Sequence, residues 1–135
     1  MASIYNDIRA ALEVKLSQIP DIPDIAYENV TYQPTTGTPF VKPKFVPVSR
    51  EPAVRGTNPQ QLYKGVFRVS CFTPEGKGPA EADELANKVL DVFDATKDIS
   101  LGATTVCIDY ADRDSGFTDS PWYYVTVNIG WFIYA

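Results

Sequence analysis

Residues 63–93 read YKGVFRVSCFTPEGKGPAEADELANKVLDVF, an alternating strand, a glycine-rich connection and an amphipathic helix in succession. Tyr63, Phe67, Val69 and Cys71 occupy odd positions, and Lys64, Arg68 and Ser70 even ones, the period of two that belongs to a strand with one apolar face. Val66 and Phe72 interrupt the polar side, so a neighbour is expected to cover part of it. Gly76, Gly78 and Pro79 then end the strand. Proline suits a first helical position because its missing N–H would have no intrahelical partner there. Glu81, Asp83 and Glu84 follow in the first turns, where the helix dipole favours negative charge. Ala82, Leu85, Ala86, Val89, Val92 and Phe93 recur at three- and four-residue steps, forming one stripe that can lie on the apolar face of the strand. This is a folding unit rather than an active site.

On the N-terminal side, Ser3 reads as a helix cap, and Ile4, Ile8, Leu12, Leu16 and Ile19 follow at mostly four-residue spacing. Pro20 stops that helix, Asp21 to Asp24 is a turn, and Ile25 to Tyr32 reads as a first strand. On the C-terminal side, Thr104 to Ala111 alternates, with Val106, Ile108 and Tyr110 on one side and Thr105, Cys107 and Asp109 on the other. A polar turn from Asp112 to Ser120 leads into Trp122 to Tyr134, which is aromatic on both faces and so is expected at the centre of a sheet or under a second chain. These parts predict one α+β domain over residues 1–135: a small mixed, mostly antiparallel sheet of four to five strands, with two helices packed on one face.

Residues 33–62 break the pattern. Pro34, Pro39, Pro43, Pro47, Pro52 and Pro59 recur through them, with Gly37 and Gly56 added, which argues against a central strand. Phe40 to Val48 suits an edge strand, Ser49 to Leu62 an exposed loop, and the whole stretch a long proline-rich arm. Connections of this length in a compact domain are commonly functional or disordered. Lys42, Lys44, Arg50, Arg55, Lys64 and Arg68 lie within residues 42–68 against Glu51 alone, although the whole chain has a net charge of −5. A basic arm on an acidic body results. The residues expected to make an interface are therefore Phe40, Lys42, Lys44, Phe45, Arg50, Arg55, Lys64 and Arg68. Contact with another protein, contact with single-stranded nucleic acid through phosphates and stacked bases, and a neutral solvated arm all fit this composition. The acidic body opposes a polyanion at long range.

Several chemistries find no support. The chain has 135 residues, 44% hydrophobic and 21% charged, a globular balance. No apolar run approaches eighteen residues, and the start shows no signal-peptide pattern, so a cytoplasmic, membrane-free protein is expected. With no histidine and only two cysteines, Cys71 and Cys107, both inside strand patterns, a zinc site lacks ligands and imidazole acid–base chemistry is excluded. The two thiols are expected to be reduced and buried as small hydrophobes, with a bridge or a reactive thiol as the alternative. Asp109, Asp112, Asp114 and Asp119 surround one turn without the spacing of an EF-hand loop, and GKGP at 76–79 lacks the phosphate-loop pattern. No catalytic, cofactor-binding or metal-binding residue is assigned.

The order of parts nevertheless resembles a known family. The N-terminal helix, AYEN at 26–29, QPTTGTPFV at 33–41, the proline-rich basic stretch, KGVFRVSCF at 64–72, GKGPAEADELANKVLDVF at 76–93 and the closing aromatic strand together look like the tail terminator-like proteins of long-tailed bacteriophages. The resemblance implies a structural virion protein and no enzyme. It implies a ring of identical subunits, commonly a hexamer, capping the head-proximal end of the tail tube. Such a ring ends tube polymerisation and offers a surface for head joining, so its partners are the tube protein and the head-proximal connector or neck proteins. DNA passes only as cargo, and assembly takes place in the host cytoplasm. A neck adaptor and a single-stranded nucleic-acid-binding protein are the competing readings.

Overall fold

A computed structural model describes residues 4–53, 60–94 and 98–135. The elements run α1 (Ile4–Ser17), β1 (Asp24–Ile25), β2 (Phe40–Pro52), β3 (Gln61–Pro74), α2 (Ala80–Val92), β4 (Asp98–Leu101), β5 (Thr104–Arg113), β6 (Phe117–Asp119) and β7 (Trp122–Tyr134). The sheet has the order β1-β2-β3-β7-β5-β4, with β6 pairing β7 beyond the end of β5. Among the described residues only β1 and β2 pair in parallel, so the sheet is mixed and mostly antiparallel, as expected, but seven strands are described instead of four to five. The class is α+β.

Both helices lie on one face. Ile8, Ala11, Leu12 and Leu16 of α1 and Ala82, Leu85, Ala86 and Val89 of α2 are buried against the odd-numbered residues of β3 and β7 and against Val106 and Ile108 of β5. The alternation around Tyr63–Cys71 is therefore the covered face of the sheet, and β7 is a central strand between β3 and β5. Gly76 and Gly78 have φ of 89° and 79° in the β3–α2 connection, a left-handed backbone that favours glycine and lets the chain turn onto the sheet.

The stretch expected as an arm is largely strand. Residues 40–52 pair with β3 along their whole length, from Phe40 opposite Phe72 to Pro52 opposite Gln61. Backbone alternation explains why the prolines permit this. Val41 O accepts from Ala26 N, and the Glu28 carboxylate accepts from Phe45 N at 2.5 Å, so residues 41 and 45 turn their backbone groups away from β3. Pro43 and Pro47 share that phase, and their missing N–H groups fall on the outer edge, where no ladder bond is lost. A bulge between Pro47 and Ser49 then resets the register.

Other expectations shift as well. Ile25 to Tyr32 forms a strand only at Asp24–Ile25, because Asn29 adopts a positive φ of 56° and Val30 N bonds back to Tyr27 O in a turn. Ser49 to Pro52 and Gln61 to Leu62 are strand and not loop, and β4 and β6 are additional. Tyr110 does not share a side with Val106 and Ile108, since a bulge after Ile108 turns its ring over Gly130 on the opposite face. The cap residue Ser3 and the loop residues Arg55, Gly56 and Pro59 lie outside the described residues.

Candidate interaction surface

Among the described residues, the second face of the sheet carries no helix. Its side chains come from even positions of β2, β3 and β7, and the alternation that buries Val41, Phe67, Val69, Val125 and Val127 sends Lys42, Lys44, Arg68, Ser70, Tyr124 and Thr126 to this side. Register completes the grouping, with Lys42 opposite Ser70, Lys44 opposite Arg68, and Ser70 opposite Thr126. Ser70 and Thr126 hydroxyls are hydrogen bonded at 3.1 Å, and Thr126 is buried beneath the longer side chains. An open hollow of about 330 Å³ lies among Lys42, Lys44, Arg68, Phe72, Tyr124 and Asp119.

Aromatic rings close one end of this face. Phe40 stacks on Phe72 at 4.6 Å between centroids, Phe72 on Tyr124 at 5.0 Å, and Tyr124 on Phe117 at 5.9 Å. Tyr32 and Trp122 pack against Phe40 at 5.3 and 5.1 Å. Phe117 at the end of the row is 53% exposed, so the row extends to solvent. Toward β5 the face becomes acidic: Asn128 donates to Asp112 at 3.2 Å and to Asp114 at 2.9 Å, and Arg68 pairs with Asp114 at 3.3 Å. Arg113, one residue earlier, points to the helix side and bonds Asp83 of α2 at 2.6 Å. Among the described residues, Arg68–Asp114 and Arg113–Asp83 are the ion pairs, and Lys42, Lys44 and Lys64 enter neither.

The residues singled out from sequence divide accordingly. Lys42, Lys44 and Arg68 come together as exposed cations around the open-face hollow, and Lys64 is exposed farther along the same face beside Val66 and Tyr110, while Phe40 lies at the aromatic end but is buried within the subunit. Phe45 belongs to the covered face, stacked on Trp131 at 5.1 Å beneath the Arg9 guanidinium. Arg50 lies beyond the bulge, which reverses its side, and its guanidinium sits 5.8 Å from the Tyr63 ring. Arg55 lies outside the described residues. Phe72, Tyr124 and Phe117 were not on the sequence-derived list, although the interrupted polar side of β3 pointed toward Phe72 and the two-sided aromatic pattern of β7 toward Tyr124; Phe117 falls in the stretch read as a polar turn and carried no such signal.

Burial pushes the Cys71 thiol up to about 12, with Arg113 acting weakly in the opposite direction, so Cys71 stays protonated. Cys107, on the open face, is raised by burial and by neighbouring Asp98. The sheet separates the two cysteines, and both are free. Among the described residues no three potential ligands converge on a metal position, and no helix is long and apolar enough to cross a membrane.

A solved structure 20% identical in sequence aligns over 97% of this chain and 96% of its own with a TM-score of 0.75, which establishes a shared fold. No curated protein matches the sequence. The family model for the phage tail terminator protein matches residues 7–131, spanning α1 through β7. The helix-backed sheet, its uncovered charged and aromatic face and this match lead to one assignment: the chain belongs to the phage tail terminator family, a structural component of the bacteriophage tail.

Proposed function

We propose that this chain is the subunit of a ring, hexameric in the simplest case, that caps the head-proximal end of the phage tail tube. The ring stops further tube polymerisation and provides the surface to which the filled head is joined. The family match over residues 7–131 is the observation that carries this reading. The uncovered sheet face is what makes it physically reasonable, because a two-layer subunit with exposed cations and stacked rings on its bare side is built to be covered by protein. The mechanism is steric: one ring face docks on the last tube ring, and the other lacks the surface that recruits another tube subunit.

The proposed partners are identical subunits, the tube protein and the head-proximal neck proteins, with assembly in the host cytoplasm and DNA present only as cargo in the lumen. Lys42, Lys44, Lys64 and Arg68 are the proposed contact residues on the open face, with Arg50 and Arg55 near the β2–β3 connection. The test is deletion of the gene in the phage, followed by electron microscopy of lysates. Overlong, headless tails are expected. Headless tails of normal length would instead make the chain a neck adaptor.

A further inference from the structure

Two surfaces of opposite charge lie on opposite sides of the sheet. The basic one is the hollow on the open face, where Lys42 and Lys44 stand without an ion-pair partner among the described residues, beside Arg68 and above Phe72 and Tyr124. The acidic one lies on the helix side, at the N-terminal half of α2. There Glu81 and Glu84 are exposed and, with Asp21, border a smaller hollow of about 160 Å³ whose other walls are Pro23, Pro39 and Leu85. Three carboxylates face one cation there, Lys88. Neither Glu81 nor Glu84 takes part in the ion pairs of the described residues, whereas Asp83 between them is held by Arg113.

The fold prevents these surfaces from meeting within one subunit. α2 packs on β3 and β7 from one side, while Lys42 and Lys44 project from the other, so the whole sheet intervenes. Surfaces that are complementary in charge, each with apolar walls, and unable to close on themselves fit one another only between copies. We infer that the open sheet face of one subunit receives the Glu81–Glu84 edge of α2 from the next copy, Lys42 and Lys44 lying against the two glutamates. The contact is heterologous, since one patch meets a different patch, which is the arrangement that closes into a ring when the rotation permits. It rests on the ring reading and adds which surfaces meet. The outer edge of β2 is poorly suited to the alternative of strand-to-strand addition. Pro43 and Pro47 remove donors there, and Glu28 already occupies the Phe45 N–H.

The test is a charge exchange in the intact phage, supplying variant chains to a deletion mutant. Lys42→Glu with Lys44→Glu, and separately Glu81→Lys with Glu84→Lys, are each expected to lower the yield of properly capped tails by about tenfold or more. The four substitutions combined in one chain are expected to restore it to within about threefold of the natural protein. Circular dichroism melting of each purified chain shows whether it is folded, and Lys44→Cys with Glu84→Cys, oxidised in isolated tails, is expected to give cross-linked copies. The inference is overturned if either reversal alone leaves capping unchanged, if a folded fourfold variant fails to restore it, or if the cysteine pair gives no cross-link. In each of those cases, tails from the natural phage that still carry several copies of this chain leave the ring reading standing. Tails carrying a single copy end both.

Discussion

The two faces of the sheet are made from the same strands and differ in almost everything else. On the helix side, Val41, Phe67, Val69, Val125, Val127, Ile129 and Trp131 are essentially inaccessible, and two helices close over them. On the other side, a strip of cations faces solvent beside a row of stacked rings that runs from the buried Phe40 to the exposed Phe117. One alternating pattern makes both faces: odd residues of β3 and β7 hold the subunit together, and even residues of the same strands are left for the contact proposed above. A face stabilised within the subunit resists substitution by losing stability. On the proposed reading, the open face resists by losing assembly.

That contrast is broken most directly by truncating one large ring on each side. Phe67→Ala removes a side chain 1% exposed and packed on Phe93 of the α2 terminus, and about 3–5 kcal/mol of unfolding free energy is expected to go with it. Phe72→Ala, on the half-buried open face, is expected to cost less than about half as much, because solvent already reaches that ring. Urea titrations with a common m-value measure both. Equal costs would mean that the open face is as much a part of the subunit core as the covered one.

A smaller effect sharpens the account of the covered face. Trp131 lies across Gly65, leaving no room for a Cβ there, and its Nε1–H is buried without a partner among the described residues. Trp131→Phe gives up volume and stacking on Phe45 but also removes an unsatisfied donor, so the two changes oppose each other. A loss under about 1.5 kcal/mol is expected, against about 3–5 for Trp131→Ala. Smaller still, Lys42→Ala and Lys44→Ala are each expected to shift stability by less than about 0.5 kcal/mol, as exposed side chains without ion-pair partners among the described residues.

How much of this was legible beforehand depends on phase. The covered face followed from the alternation of Tyr63, Phe67, Val69 and Cys71 and from the three- and four-residue stripe of α2, since both patterns continue unbroken through their elements. Lys42, Lys44, Lys64 and Arg68 could be grouped because charge recurs at even spacing through residues 42–44 and 64–68. Two bulges defeated the rest. Each inserts one residue and reverses every side chain beyond it. Arg50 therefore leaves the basic strip for the helix side, and Tyr110 leaves the company of Ile108. The prolines of β2 suggested a free arm because the outward phase that accommodates them depends on where β1 and Glu28 attach, a contact across more than a dozen residues. Leu101-Gly102-Ala103-Thr104 did carry a local signal for a two-residue hairpin turn, with Gly102 at a φ of 61°.

The cysteines report the same contrast kinetically. Cys71 is buried on the covered face with its thiol held up to about 12, whereas Cys107 is half-buried on the open face. Treatment of the native protein with a thiol-specific reagent is expected to label Cys107 first, and Cys71 only at the rate of unfolding. Equal rates would show that the helix layer opens readily.

The smallest effect belongs to the margin of the covered face, at Glu13 of α1. Burial is the main reason its carboxyl titrates above the ordinary 4.5; Arg9 pulls it down, and Glu28 adds to the rise. The sign follows from comparing the two states. With the folded value above the unfolded one, the stabilising contribution is full below the unfolded pKa and is lost as pH rises through the folded one. At neutral pH the native state thus holds an ionised carboxylate in surroundings that disfavour it. Glu13→Gln is expected to raise the melting temperature by roughly 1 °C at pH 7 and to leave it unchanged near pH 4, a small shift because the group is partly solvated. A lower melting temperature at pH 7 would mean that attraction between Glu13 and Arg9 outweighs the cost of burial. Arg9, whose guanidinium lies 5.1 Å from the Phe45 ring, would then be fixed over the covered face by that carboxylate as well as by the ring.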